Sequence, residues 1–132
     1  MEPILTAVQQ GDTASAVGMF LEADWTTRPL FTPGSTLALS EKQYVALTRE
    51  QQAAASTELP KQSTVLKGLA TAVGQAGQAA VAKQEIALAR RYFTSLQQYG
   101  EALAGPESTA LIKLVGQAIK KRGDAELAKL GQ

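Results

Sequence analysis

The stretch VLKGLATAVGQAGQAA, residues 65–80, decides the fold class of this 132-residue chain. Its apolar and small side chains recur every three or four positions, which is the spacing of one face of an α-helix. That face consists of Val65, Leu66, Leu69, Ala72, Val73, Ala76 and Ala80. The pattern predicts a helix of about 20 residues with one side buried against other helices.

Two glycines, Gly74 and Gly77, interrupt the same stretch. A phosphate-binding loop would need a strand before such glycines and a Lys-Ser or Lys-Thr pair after them, and the sequence has neither. We therefore expect the small residues to allow another helix to approach closely.

Two more helical faces follow toward the C-terminus. The first consists of Ile86, Ala89, Phe93, Leu96, Gly100 and Leu103, and the second of Leu111, Leu114, Val115, Ala118 and Ile119. Gly105 and Pro106 predict the break between these two helices. Gly123 followed by Asp124 predicts a stop and a short last helix. Three consecutive helices with short connections are expected to pack as antiparallel neighbours.

The N-terminal residues 1–24 predict a helical hairpin. Pro3 is typical of a helix start, Gly11 of a helix end, and Asp12 of the N-cap of a second helix.

Two further helix starts have the form of capping boxes, Ser40 with Gln43 and Thr48 with Gln51. The second predicts a helix that begins near residue 49. Pro60 should kink or break that helix, because proline lacks a backbone donor and clashes with the preceding turn.

The segment between these helices, residues 25–39, has no helical period and contains a Pro-Gly turn. It is too apolar for a free linker, so we predict an ordered loop. Its most unusual cluster is Trp25, Arg28 and Phe31. Two interpretations stay open: the cluster binds a partner, since aromatic residues and arginine dominate interface hot spots, or its rings pin the loop to the bundle.

Composition favours helices along the whole chain. Alanine accounts for 23 residues and aromatic residues for only 5%, whereas a sheet protein would need more β-branched and aromatic side chains. The length suits one domain. We predict an all-α protein, a single irregular bundle of five to seven helices over residues 1–132, with the hairpin at 1–24, the loop at 25–39 and the helical bundle at 40–132.

The chain contains no His and no Cys, which excludes cysteine proteases, Ser-His-Asp hydrolases, zinc fingers and thiol redox sites. Two pairs of a hydroxyl and a lysine at helical spacing remain as candidates for a nucleophile and its base: Ser63 with Lys67 and Thr109 with Lys113. Their lysines lie off the apolar faces, whereas a lysine that acts as a base must be desolvated. The acidic residues lack the spacing of a calcium loop. We therefore predict no catalytic residues, no cofactor, no metal site and no enzymatic activity.

Charge is distributed unevenly along the chain. Residues 1–60 carry three basic and seven acidic residues, a net charge of −4, and residues 61–132 carry ten and five, a net charge of +5. The C-terminal helices hold a basic patch formed by Lys113, Lys120, Lys121, Arg122 and Lys129. A nucleic-acid interface is usually more basic and carries stacking aromatics, so nucleic-acid binding is the weakest of our hypotheses.

The chain resembles a set of small uncharacterised bacterial helical proteins. The resemblance is carried by residues 23–25, 28–31, 37–41, 89–90, 92–96, 100–103 and 114–116. It implies one helical domain and no particular chemistry. Residues 80–96 also resemble a tetratricopeptide hairpin, although the 34-residue repeat of that family is absent.

We expect a non-catalytic helical interaction or scaffold domain that binds another protein or a second copy of itself, because its two halves carry opposite charge. The alternative is a small-molecule-binding protein in which Arg28 holds an anionic group. The candidate partner-binding residues are Trp25, Arg28, Phe31, Tyr92 and Tyr99.

The sequence predicts no contact with a membrane. No stretch is long and apolar enough to span a bilayer. The start, MEPILTAVQQ, lacks the basic and apolar regions of a signal peptide. We therefore expect a cytoplasmic location, unless a leader precedes Met1.

Overall fold

Six α-helices, one long loop and short turns make up the fold in the computed structural model, which describes residues 1–131. The helices are α1 (Glu2–Gln9), α2 (Thr13–Glu22), α3 (Glu41–Val45), α4 (Arg49–Ala82), α5 (Ile86–Leu103) and α6 (Ala110–Leu130), and a 3₁₀ helix (Thr36–Ala38) lies in the loop. The predicted all-α bundle of five to seven helices is confirmed. Gln132, the last residue of the predicted domain, lies outside the described residues.

The N-caps of α2, α3 and α4 are those that the sequence predicts. The Asp12 side chain accepts a hydrogen bond from the Ser15 backbone N–H at 3.2 Å. Both capping boxes form in full, each with a hydroxyl and a glutamine side chain bonded to the other's backbone. These local signals therefore set three helix starts.

Pro60 does not break α4, which continues through it and is 34 residues long in all. The prediction of a break is wrong because packing on both sides of the proline holds the backbone: Leu59 and Ser63 are buried. The hydroxyls of Ser63 and Thr64 donate to the Pro60 carbonyl at 3.1 and 3.0 Å. Burial of residues such as Leu59 against other elements routinely overrides helix propensity.

Glycines bring α5 and α6 into backbone contact. A Cβ atom added to Gly116 would lie 2.5 Å from the Ala104 backbone nitrogen, and one added to Gly100 would lie 2.5 Å from the Lys120 backbone nitrogen. At Gly123 the Cβ would lie 2.9 Å from the Gln97 nitrogen. Gly123 therefore serves helix packing and does not end α6, so the predicted stop and the separate last helix are wrong.

The buried face of α6 differs from the predicted one. Leu114 is 63% exposed, and Ala118 is exposed as well. The buried residues are Ile112, Val115, Gly116, Ile119 and Gly123. The helix is rotated so that its glycines, rather than Leu114, meet α5.

The other two predicted faces are largely confirmed. On α4, Leu66, Leu69, Val73 and Ala80 are buried, while Ala72 and Ala76 are only half-buried. At Gly77, on the same helix, an added Cβ would lie 2.5 Å from the Phe93 ring. On α5, only Ile86 departs from the predicted face, because it is exposed at the helix start.

An aromatic trio joins the N-terminal hairpin, the loop and α5. The ring centroids of Phe20, Trp25 and Tyr99 lie 4.7 to 4.9 Å from one another. The Tyr99 hydroxyl donates to the Leu66 carbonyl of α4 at 3.2 Å, and burial raises the pKa of Tyr99. The trio belongs to a continuous apolar core that extends from Ile4 to Ile119.

Candidate functional site

The loop at residues 25–39 is ordered and anchored at three points. Trp25, Phe31 and Leu37 are buried in the main core, and the residues between them are exposed or half-buried. Of the two interpretations of the loop's aromatic residues, the anchoring role is the one that this burial supports. A loop fixed at three points presents its intervening residues in defined positions.

The candidate partner-binding residues do not form one surface. Trp25 is 4% exposed, and Tyr99 and Phe31 are likewise buried. Tyr92 is half-buried and packs against the core. Only Arg28 is exposed. Of the residues predicted to contact a partner or ligand, burial therefore leaves Arg28 as the one whose side chain is open to solvent.

A cleft opens instead between the loop and the turn that connects α5 to α6. Its volume is about 830 Å³. It is lined by Arg28, Pro29, Pro33, Gly34, Ser35, Ala38, Leu39, Ser40, Gln43, Pro106 and Glu107. We call this feature the loop cleft. The Pro-Gly turn and the Gly105-Pro106 break were visible in the sequence, but nothing in the sequence pattern brings the two together.

Arg28 is positioned by its own loop. Its Nη1 atom donates to the carbonyls of Trp25 and Thr27 at 2.8 and 3.0 Å. Its Nε atom lies 4.0 Å from a carboxylate oxygen of Glu107, across the cleft, and both side chains are exposed. Exposed pairs of this kind contribute little stability, so a ligand can exchange with either partner.

The predicted basic patch is spread around α6. Successive residues of a helix are rotated by about 100°. Relative to the buried face, Lys113 and Lys120 therefore lie on one flank, Arg122 and Lys129 on the other, and Lys121 between them on the outside. Lys120 pairs with Glu101 at 3.7 Å and Lys129 with Glu126 at 3.5 Å. The five residues do not form one basic surface.

A second, smaller cavity lies at the start of α6. It has a volume of about 220 Å³ and is lined by Glu41, Tyr44, Ser56, Leu59, Pro60, Thr109 and Leu111. We call it the α6 pocket. Sequence reasoning missed it, because Glu41 and Thr109 lie 68 positions apart and no local pattern connects them.

Neither a metal site nor a membrane span is found in residues 1–131. They contain no group of three or more His, Cys, Asp or Glu side chains that is able to hold a metal ion. No helix in this range is long and apolar enough to cross a membrane.

Comparison of the chain with protein-family models, with curated proteins and with solved structures finds no significant match. The resemblance to small bacterial helical proteins therefore stays a prediction.

Proposed function

We propose that this chain is a non-catalytic protein-interaction domain that binds an extended segment of a partner protein in the loop cleft. The observation that carries the proposal is the cleft itself, whose volume of about 830 Å³ lies in the range of binding pockets.

The walls of the cleft suit a peptide. Pro29, Pro33 and Pro106 provide rigid apolar surface. The side-chain oxygens of Ser40 and Gln43 accept bonds in the capping box, so the Ser40 hydroxyl and the Gln43 amide nitrogen keep their O–H and N–H donors beside this surface. Mixed surfaces of this type are usual at protein interfaces, where apolar contact gives area and polar groups give orientation.

Preorganisation of the loop also supports the proposal. Association costs free energy whenever a loop must be ordered on binding. Burial of Trp25, Phe31 and Leu37 has already ordered this one. Binding of the partner therefore carries no further free-energy cost for ordering this wall of the cleft.

The charged pair across the cleft, Arg28 and Glu107, can orient a bound peptide. A carboxylate of the partner can replace Glu107 at Arg28, and an ammonium group can replace Arg28 at Glu107. Because the existing pair is exposed and long, the exchange loses little. This chemistry is that of recognition and requires no proton transfer.

Selection of peptides from a random displayed library tests the proposal. The wild-type chain is the bait, and a Pro33→Trp variant, in which an exposed cleft residue becomes large, is the counter-bait. Ala14→Trp places the same side chain at an exposed position on α2, away from the cleft, and serves as the matched control.

We expect peptides that bind the wild type and Ala14→Trp equally and lose at least tenfold in affinity for Pro33→Trp. Their amide chemical-shift changes in the bound protein should map to residues 28–43 and 106–107. Peptides that bind all three proteins equally, or the absence of any binder, would refute the proposal.

A small anionic ligand is the second candidate, favoured by Arg28. Two of the hydrogen bonds of its guanidinium go to its own loop, and an arginine has five N–H donors, so donors remain for a carboxylate or phosphate. Arg28 is bonded to the backbone of Trp25, whose carbonyl accepts from its Nη1 atom at 2.8 Å. Titration with a panel of anionic metabolites, followed by the emission of this single tryptophan, tests it; a flat response to the panel removes this candidate.

A further inference from the structure

The two members of the charged pair in the loop cleft are held differently. Arg28 is fixed by two hydrogen bonds from its Nη1 atom to the carbonyls of Trp25 and Thr27. Glu107 is held by one long contact, 4.0 Å from the Arg28 Nε atom, and its side chain is 64% exposed, against 40% for Arg28. A partner that breaks this pair therefore displaces Glu107 and leaves Arg28 in place.

A small apolar pocket adjoins the loop cleft at this pair. Its volume is about 40 Å³. Five residues line both cavities: Arg28, Pro29, Ala38, Pro106 and Glu107. The remaining lining comes from the loop, from the end of α5 and from the turn after it: Leu30, Phe31, Leu37, Ala102, Gly105 and Ser108. We call this feature the anchor pocket.

The anchor pocket reaches the edge of the main core. Phe31, Leu37 and Ala102 belong to that core and keep 5 to 6% of their surface exposed. Protein interfaces obtain much of their affinity from a few side chains that fill such pockets, surrounded by a polar rim. The apolar pocket with the exposed Arg28 and Glu107 beside it has this arrangement.

We infer that the partner segment places a valine or an alanine in the anchor pocket and carries an aspartate or a glutamate one or two positions away, which binds Arg28 in place of Glu107. The inference rests on the proposed function and names the chemistry of the partner. The proposed function alone allows either an acidic or a basic residue at the charged pair.

The volume of the pocket limits the side chain that enters it. A cavity needs about 10 to 15 Å³ for each water-sized group, so a volume of about 40 Å³ admits roughly three such groups. The isopropyl group of valine has three carbon atoms, whereas the ring of phenylalanine is twice as large. Because Arg28 lines the pocket itself, the acidic residue must lie close to the anchor in the partner's sequence.

The residues enriched in peptides from the random displayed library test the inference. We expect a valine or alanine with an aspartate or glutamate one or two positions away. In a synthetic copy of a selected peptide, replacement of the acid by its amide should weaken binding to the wild type about three- to tenfold, since it removes a charge-assisted hydrogen bond. Replacement of the valine by phenylalanine should weaken binding at least tenfold.

Glu107→Gln decides the sign of the partner's charge. The substitution removes the competitor for Arg28 at an exposed position, so acidic peptides should bind about two- to fivefold more tightly. A basic partner would instead lose affinity. Arg28→Gln should abolish the difference between the acidic peptide and its amide. Glu50→Gln, an exposed acid on α4 that lines neither cavity, is the matched control and should bind every peptide as the wild type does.

Leu30→Ala tests the anchor pocket, because it enlarges the pocket at a half-buried position. The enlarged pocket should accept leucine, so the affinity ratio of the leucine peptide to the valine peptide should rise at least fivefold. Leu111→Ala shortens another half-buried leucine that packs against the main core and lines neither cavity. This control should leave the ratio unchanged, since a loss of stability alone affects both peptides equally.

The inference is overturned if the selected peptides lack an acidic residue close to a small aliphatic one. It is also overturned if Glu107→Gln weakens their binding or leaves it unchanged, or if Leu30→Ala does not change the ratio. Peptides that still depend on Pro33 would in each of these cases leave the proposed function standing. If the library yields no binder, the proposed function and the inference both fail.

Discussion

Replacement of Gly116 by alanine should force α5 and α6 apart. The new Cβ would lie 2.5 Å from the backbone nitrogen of Ala104 and 2.6 Å from the carbonyl oxygen of Gly100. Neither atom belongs to a side chain, so neither is able to rotate away. Ordinary contacts of a Cβ begin near 3.4 Å, and the helices must therefore separate by about 1 Å.

The cost follows from the packing that is lost. A gap of about 1 Å forfeits up to half of the dispersion energy of the atoms that face it, and overpacking of a core typically costs about 1 to 3 kcal/mol. Alanine gains about 1 kcal/mol over glycine in helix propensity, which offsets part of this. Because the clash involves backbone on both sides, we expect a net loss of about 2 kcal/mol in the free energy of unfolding.

Urea and thermal denaturation followed by circular dichroism measure this loss. At about 3 to 5 °C per kcal/mol for a domain of this size, the Tm should fall by roughly 6 to 10 °C. Gly68→Ala is the matched control: Gly68 is also helical, and an added Cβ there meets nothing within 4 Å. This control should raise stability by about 0.5 to 1 kcal/mol. Equal stabilisation by both substitutions would refute the close contact between α5 and α6.

Two more predictions concern the helix ends and interiors. Pro60→Ala restores a backbone donor within α4 at an exposed position and should stabilise the chain by about 2 kcal/mol in urea denaturation, and an unchanged midpoint would contradict this view of the proline. Asp12→Asn keeps the acceptor for Ser15 but does not ionise. Hydrogen bonds from Ser15 lower the pKa of Asp12 from 3.8. The ionised cap therefore stabilises the fold above this ordinary value, and the contribution is lost as the pH falls through the lower folded pKa. Between about pH 6 and pH 2.5 the wild type should lose more stability than Asp12→Asn; equal losses would show that the cap does not titrate in this way.

Local signals in the sequence were sufficient to predict the all-α fold class and several helix starts. The caps at Asp12, Ser40 and Thr48 depend on residues three positions away, which a sequence displays directly. The predictions of a helix break at Pro60 and of a helix end at Gly123 were wrong, because the effects of both residues depend on tertiary contacts. Buried neighbours hold the helix through Pro60, and α5 packs directly on Gly123.

The candidate sites were less accessible to prediction than the fold. Arg28 was identified from its residue type and lies in the loop cleft, but the aromatic residues grouped with it serve the core. Aromatic side chains suit a core and an interface equally well, so their type does not decide between the two. The α6 pocket depends on the approach of Glu41 to Thr109, which only the three-dimensional arrangement of α3 and α6 provides.

The aromatic trio has a consequence for the order in which the chain folds during synthesis. Tyr99 follows Phe20 by 79 positions, so at usual rates of translation it is made roughly 4 to 16 s later. Until then the rings of Phe20 and Trp25 lack the neighbour that completes their burial. The aromatic packing of Phe20 and Trp25 is therefore completed only after Tyr99, in the second half of α5, has been made.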